Sequence, residues 1–523
     1  MYDTTLRDGC QAEGINLSVA DKLRIAQRLD AFGVAYIEGG WPNETNPQDQ
    51  EFFRRARDMQ WHSARIAAFG STRRGGIAPE DDSNLQQLIA SEAPVVTIFG
   101  KTWNMHATDI LRVSLEENLR MIEDSIAFLK SHGREAIFDA EHFFDGYEAD
   151  AQYAVECLRA AQRGGADSVC LCDTNGGTLP LRMYEIVVDV LGKVDVPVAI
   201  HCHNDSGLAV ANSILAVQAG CSMVQGTVNG YGERAGNANL CTIIPDLQLK
   251  TDYRCVSDEK LPELRNLSWY VSEQANVPHD NRYPYVGKAA FAHKGGMHVN
   301  AVLKKPESFE HVPPEAVGNE RRILVSDDSG SSTVLHKLEK LWPGLSRTDP
   351  IVADALNQVK TLEKSGYAFE GAEASFELMA KRLRGELPKL FELRGFRVIV
   401  ERWEGSPDVY SEATIRLRIN GDTEVTTSWA EGDGPVNALD AALRRVLRDK
   451  FPQIERLKLT DYKVRVLDAT QGTATAVRAL IETTDGEAEW ATVGAHENII
   501  EASYQALVDS IVYGLMLHAG EEA

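Results

Sequence analysis

Residues 197–205 read P-V-A-I-H-C-H-N-D, an apolar run that ends in a cluster of polar groups. Side chains alternate along a strand, so His201 and His203 share one face while Cys202 points to the other. Two imidazoles therefore converge on one spot at the polar exit of a buried strand, which suits a metal ion. A lone histidine would read as a satisfied core residue. A pair two apart, followed by Asn204 and Asp205, asks where the remaining ligands lie.

Working outward from this stretch, short apolar or β-branched runs recur at 1–6, 35–38, 65–69, 95–99, 136–140, 168–172, 198–200 and 223–228. Helical patterns stand between them, among them 20–32, 115–131, 149–163 and 209–219. Strand and helix alternate at a period of roughly thirty residues, the rhythm of a (β/α)8 TIM barrel, an α/β fold. A doubly wound open sheet is the alternative. No G-x-G-x-x-G follows any strand, and Gly230, Gly232 and Gly236 have the wrong spacing, so a dinucleotide site is not expected.

A barrel demands that catalytic groups gather where the strands end, at the carboxyl-side face. The runs close on Arg7 and Asp8, Glu38, Lys101, Asp139 and Glu141, Asp173 and Thr174, His201 and His203, and Thr227 and Asn229. Taken singly, each could be a helix cap or a solvated loop residue; together they describe a polar pocket. The first and seventh strands are near neighbours across the closure of an eight-stranded ring, so Asp8 can complete a two-His, one-carboxylate site. Nitrogen and oxygen ligands without thiolate suit Mg, Mn, Zn, Co or Fe(II) and leave positions open for substrate oxygens.

Composition narrows the partners. The 523 residues exceed one ordinary domain, and about 150 residues per domain suggests two to four. With 43% hydrophobic and 25% charged residues the chain can build full cores. A net charge of −23 leaves no basic stripe for nucleic acid or an anionic membrane. The eight cysteines contain no C-x-x-C and all precede residue 256, as in a reduced cytoplasmic protein. No signal peptide or membrane-spanning run is read, and a cytoplasmic location is expected.

Three motifs carry a family resemblance: D-T-T-L-R-D-G at 3–9, H-C-H-N-D at 201–205 and G-Y-G-E-R-A-G-N-A-N-L at 230–240. They resemble the signatures of the metal-dependent Claisen-condensing synthases of the DRE-TIM metallolyase superfamily, the isopropylmalate, homocitrate and citramalate synthases. I-E-G-G-W-P at 37–42 resembles the citramalate branch. The resemblance implies condensation of acetyl-CoA with pyruvate to (R)-citramalate and CoA, on the route to isoleucine. It implies Asp8, His201 and His203 as metal ligands, with Asn237 as a further ligand or a close neighbour of the metal. Arg7 is implied against the keto oxygen, and Glu141 and Thr174 against the 2-oxo acid. H-K-G-G-M-H at 293–298 resembles the segment that supplies a histidine base, assigned to His298, with His293 as the structural alternative. The tyrosine acid of isopropylmalate synthases cannot be transferred, because the matching segment reads V-G-N-E-R-R at 317–322.

The chemistry follows. Pyruvate chelating a divalent ion becomes the electrophile, Arg7 adds fixed positive charge where the alkoxide develops, and His298 takes a methyl proton from acetyl-CoA. One methylene in an apolar pocket is worth only about 1 to 3 kcal/mol, so the chemistry is named more securely than the substrate. A 2-isopropylmalate synthase is the alternative within the enzyme class. A lyase running the reverse cleavage would not need the repeat described below, and an amidohydrolase carries its H-x-H on the first strand. From another class, the chain could be an inactive barrel serving as an amino-acid sensor.

The organisation expected is a catalytic barrel at 1–253, a linker and helical subdomains covering the active site at 254–389, and a regulatory and dimerisation domain at 390–523. In the last, strand-like segments at 397–401 and 413–419 precede a helix at 435–447. The order recurs with strands at 463–467 and 475–482 and a helix at 499–515, an offset of about 64 residues, so an α+β unit is duplicated. This part resembles the regulatory domain of the same synthases, which implies a homodimer and an isoleucine effector, with the loops at 432–434 and 494–496 as its candidate contacts. A dimerisation module without a ligand is the plainer reading.

Overall fold

The computed structural model describes residues 1–405, 408–467 and 475–519. Eight parallel strands close into a barrel in sequence order. They are β1 (Tyr2–Asp3), β2 (Tyr36–Gly40), β3 (Arg65–Ser71), β4 (Val95–Lys101), β5 (Glu135–Glu141), β6 (Ser168–Asp173), β7 (Val198–Cys202) and β8 (Met223–Gly226). The helices that follow them in turn are α1 (Val19–Phe32), α2 (Pro47–Ala56), α3 (Ser83–Ala90), α4 (Leu115–Ser131), α5 (Phe143–Arg163), α6 (Pro180–Leu191), α7 (Ala209–Ala219) and α8 (Leu240–Lys250). Outward strand positions such as Ile98, Phe138, Leu171 and Ile200 are fully buried in the core shared with these helices. Inward positions Tyr2, Ala67, Val95 and Ile137 fill the bottom of the barrel.

The first strand is shorter than the apolar run 1–6 suggested. Asp3 accepts the Thr5 backbone N–H (3.0 Å) and hydroxyl (2.9 Å), which turns the chain out of extended geometry after two paired residues. α5 begins six residues before the expected 149. Asp150 breaks it with non-helical angles (φ −156°, ψ 86°) and its carboxylate accepts the Tyr153 N–H, so the periodic stretch marks only the second segment.

The described chain divides into two compact units: Met1–Phe291 with His311–Arg321, and Ala292–Glu310 with Arg322–Ala523. Within the first, α9 (Leu264–Gln274) adds Leu264, Leu267 and Val271 to the barrel core. The second unit opens with β9 (Ala292–His293), α10 (Gly296–Lys304) and β10 (Arg322–Ile323), then α11 (Ser331–Leu341), α12 (Pro350–Lys364) and α13 (Glu373–Arg384). β9 and β10 pair in parallel.

The repeat follows as β11 (Phe391–Arg402), β12 (Val409–Ile419), β13 (Thr426–Gly432) and α14 (Pro435–Leu447), then β14 (Lys458–Val466), β15 (Val477–Thr484), β16 (Glu489–His496) and α15 (Ile499–Leu517). Each half is an antiparallel three-stranded sheet. Ala413, Ile415 and Leu417 on β12 bury against Ala438, Leu439 and Leu443 on α14. The third strand of each half escaped the sequence reading. In T-T-S-W-A-E-G the largest apolar residue, Trp429, is 53% exposed, so apolar alternation does not announce the strand. Among the described residues, no helix is long and apolar enough to cross a membrane.

The rim after β3 rests on a buried cation. Arg73, 5% exposed, donates to Glu117 (2.8 Å) and Asp124 (2.7 Å). Its bond holds the Glu117 carboxyl down at about 2, well below the usual glutamate range. Because the folded state lowers this pKa, the stabilisation is present above the unfolded glutamate value and disappears as pH falls toward 2. Glu117→Gln is expected to cost about 1 to 3 kcal/mol near neutrality. The melting temperatures of wild type and variant, measured across pH, should converge between about 4.5 and 2.

Candidate active site

Alternation along each strand sends one set of side chains into the barrel, and near its carboxyl-side end that set is polar. Tyr2 on β1 pairs in register with Gln225 on β8, and Gln225 in turn with His201 on β7. This closure brings Asp8, the residue before the short 3-10 turn Gly9–Gln11, beside His201 and His203. One donor atom from each of the three lies within 4.8 Å of the others, and all three are buried. His201 Nε2 is 3.4 Å from Asp8 Oδ2.

Asn237 is part of the same cluster. Its backbone bridges to His203, and its Nδ2 donates to the Tyr231 carbonyl (3.1 Å). Gly232, at φ +151°, passes so close that a Cβ there would stand 2.1 Å from Asn237 Nδ2, so only glycine leaves the amide its place. The Asn237 Oδ1 and His203 Nδ1 atoms are buried with no hydrogen-bond partner among the described residues. Each such orphan costs about 1 to 3 kcal/mol. A donor set of two imidazoles, a carboxylate and an amide oxygen therefore fits a divalent cation of the Mg, Mn, Zn, Co or Fe(II) kind.

Protonation agrees with ligation. Burial pushes His203 down to about 4 and lowers His201 as well, leaving neutral rings with lone pairs. Burial alone would raise Asp8, but the positive charge of Arg7 beside it holds it below the ordinary aspartate range, so it is an anion.

Arg7 is clamped from two sides. Its Nε donates to Glu38 Oε1 (2.6 Å), and its guanidinium lies 3.6 Å from the centre of the Phe69 ring. The second Glu38 oxygen accepts the Tyr2 hydroxyl (2.7 Å). Phe69 stacks on Phe99 at 5.5 Å, and Trp41 meets both rings edge-on at 5.9 and 5.6 Å. The glycines of I-E-G-G-W-P explain how Trp41 arrives there. Gly40 is at φ +152°, and a Cβ on it would meet the Asp49 carboxylate at 2.3 Å, the same carboxylate that accepts the Trp41 backbone N–H at 2.8 Å.

Gln225 was not legible in the sequence. Its Nε2 donates to Asp139 Oδ1 (2.8 Å), which turns its Oε1 toward His201, where it accepts the Nδ1 proton (3.1 Å). With Nδ1 protonated, the Nε2 lone pair faces Asp8 and is free for a cation. Only the register of β7 against β8 reveals this partner. Asp139 itself is pushed up to about 8 by burial and by the nearby Glu38.

The other expected residues separate into two groups. Glu141 is ion-paired with Lys101. The Thr174 hydroxyl accepts the His142 backbone N–H (2.9 Å) and so keeps its own proton to donate. Asp173, Thr227 and Asn229 serve the fold instead. Asp173 accepts from Thr178, Thr227 donates to the Tyr231 carbonyl, and Asn229 donates to Ser268 and Ser272. A cavity of about 340 Å³ opens beside the cluster, lined by Asn204, Tyr231, Arg234, Asn237 and Tyr283.

The two histidines of the 293–298 segment, in the second unit, differ in their surroundings. His293 Nε2 lies 3.0 Å from Oε1 of the buried Glu310. His298 is exposed on α10, its ring stacked on Phe309 at 4.3 Å. Tying one ring nitrogen to a buried carboxylate suits a structural role for His293 and leaves His298 as the accessible imidazole.

Residues 1–271 match the HMGL-like family, residues 285–366 the homocitrate synthase post-HMGL domain-like family, and residues 370–515 the LeuA allosteric (dimerisation) domain. The (R)-citramalate synthase of Geobacter sulfurreducens is 52% identical over all of this chain and 98% of its own length. That of Aquifex aeolicus is 51% identical over 99% of this chain and 97% of its own. A probable 2-isopropylmalate synthase of Methanopyrus kandleri is similar over 98% of this chain and 97% of its own at only 33% identity. The chain belongs to the HMGL-like family and, within it, to the (R)-citramalate synthases.

Proposed function

We propose that this protein condenses acetyl-CoA with pyruvate to (R)-citramalate and CoA. The observation that carries the reading is the buried Asp8, His201 and His203 cluster with Arg7 beside it, in a chain half identical to (R)-citramalate synthases. A divalent ion held by these three residues and Asn237 supplies the Lewis acid that polarises the keto group. Mg, Mn and Zn all suit the donor set.

The protein's own residues do the rest. Arg7, fixed by Glu38 and Phe69, places positive charge where the alkoxide develops, at no reorganisation cost during the reaction. The Thr174 hydroxyl and Glu141 orient the 2-oxo acid. His298 removes a methyl proton from acetyl-CoA, the enolate attacks the keto carbon, and hydrolysis of the thioester makes the step irreversible. The packed rings of Trp41, Phe69 and Phe99, with Phe69 stacked on Arg7, are the apolar wall assigned to selecting pyruvate over larger oxo acids.

The repeat beginning near residue 390 is assigned to homodimerisation and to binding the pathway's amino-acid end product, isoleucine, with the loops at 432–434 and 494–496 as its contacts. The similarity of residues 370–515 to the LeuA allosteric (dimerisation) domain supports this. The protein is taken to act in the cytoplasm.

CoA release should be rapid with pyruvate, at least about tenfold slower in kcat/KM with 2-oxoisovalerate, and abolished by a chelator. Preference for 2-oxoisovalerate would favour the isopropylmalate reading, and metal-independent turnover would end the case. Phe99→Ala should raise the ratio of 2-oxobutyrate to pyruvate kcat/KM by about 10- to 100-fold. Gln225→Ala should weaken Mn²⁺ binding by about 10- to 100-fold in calorimetry, with the barrel still folded by circular dichroism.

A further inference from the structure

Beside the catalytic cluster the barrel holds a second group of ligating atoms, in which Asp139 meets two thiols that the condensation does not use. On β6, Val169 and Leu171 face the helices, so Cys170 and Cys172 face the axis, where they meet Ala199 and Met223. Asp139 on β5 stands in register with Cys170. The Asp139 carboxylate and the two sulfurs lie within 4.8 Å of one another, and the residues are 4%, 0% and 5% exposed. Both thiols are free.

Two observations make this more than a pair of small core residues. Asp139 is a buried carboxylate with one oxygen bound by Gln225 and, among the described residues, no hydrogen bond to the other. Burial pushes this carboxyl up to about 8, and a cation that takes the lone pairs of its free oxygen offsets that cost on the charged form. The Cys172 sulfur makes a long contact, 3.7 Å, to the Cys170 carbonyl and a weak bond to the Cys170 thiol. Cys172 also stands in register with His201 on β7, so the two groups of ligands adjoin in one interior.

We propose that Asp139, Cys170 and Cys172 form a second, thiophilic cation site that takes a soft divalent ion such as Cd²⁺ or Zn²⁺, and that its occupation inhibits the enzyme. The site differs in class from the one beside it, since two sulfurs and one carboxylate select soft ions where imidazole and oxygen do not. When the ion binds, each thiol gives its proton to solvent and a metal–sulfur bond replaces each S–H bond, while Asp139, pushed up to about 8, gives up its own proton to ligate as a carboxylate. No oxidant is involved. Inhibition follows from the shared residue. An ion bound through the free Asp139 oxygen withdraws charge from the carboxylate and weakens the bond that Gln225 makes to its other oxygen, and Gln225 is what sets the His201 tautomer. The inhibitory part rests on the reading of the Asp8, His201 and His203 cluster as the catalytic metal site; the binding part does not.

The test separates the two. Full-length reduced protein saturated with Mg²⁺ is titrated with CdCl₂ while the ultraviolet thiolate-to-cadmium charge-transfer absorption is followed. The catalytic donor set contains no sulfur and cannot produce that signal. A band saturating at one equivalent is expected, retained in Cys10→Ser and Cys255→Ser, weakened in Cys170→Ser or Cys172→Ser, and absent from the Cys170→Ala, Cys172→Ala double variant. No band in the wild type, or a band that persists in the double variant, overturns the site. Pyruvate-dependent CoA release without cadmium should be unchanged in the double variant, which also establishes that it is folded. With saturating Mg²⁺, the cadmium concentration for half inhibition should rise at least about tenfold in the double variant, corresponding to about 1.4 kcal/mol. Equal inhibition of both proteins overturns the link through Asp139 while leaving the spectroscopic result to stand.

Discussion

The closure of the barrel by a strand of two paired residues is the constraint on which the site depends. Tyr2 and Asp3 pair with β2 on one side and β8 on the other. Beyond them the Thr4 N–H reaches the Gly226 carbonyl (2.8 Å), and the Thr5 hydroxyl accepts the Val228 N–H (2.9 Å). These few bonds span more than two hundred residues of chain and carry Asp8 to the two histidines. Loop closure over such a length costs only logarithmically more than over a short one, so the cooperative ladder of eight strands can hold it.

Around that closure the protein concentrates polar groups in a place where burial makes them expensive. Glu38, Asp139, Asp8, Arg7 and both histidines are largely removed from water, yet most are bound to one another in a continuous network that runs from Tyr2 to His201. A low-dielectric interior strengthens each such bond and punishes each vacancy. The unpaired His203 Nδ1 and Asn237 Oδ1 atoms stand beside the group of Asp8, His201 and His203, whose ligand atoms can hold a divalent ion. Asp139 also links the histidine relay to two thiols on the neighbouring strand.

Much of the fold was open to sequence reading because its periods are strong. α4, α7 and α14 begin and end where the apolar spacing places them. Two of the departures have separate physical causes. β13 presents its tryptophan to solvent, so its pattern lacks the usual contrast, and β1 is ended by a side-chain turn that periodicity does not register. Among site residues, Asp173, Thr227 and Asn229 looked functional because they sit at strand ends; each is instead saturated by neighbours that only folding supplies.

By itself the sequence determined that two histidines on one strand face would meet a carboxylate from the far end of a closed ring, since strand alternation and a repeated β/α period leave few alternatives. Tertiary structure alone decided which ring nitrogen is free and which aromatic rings bound the space beside Arg7. It also decided which of His293 and His298 is accessible. These depend on register between strands and on packing between residues remote in the chain, and neither is encoded in any local pattern.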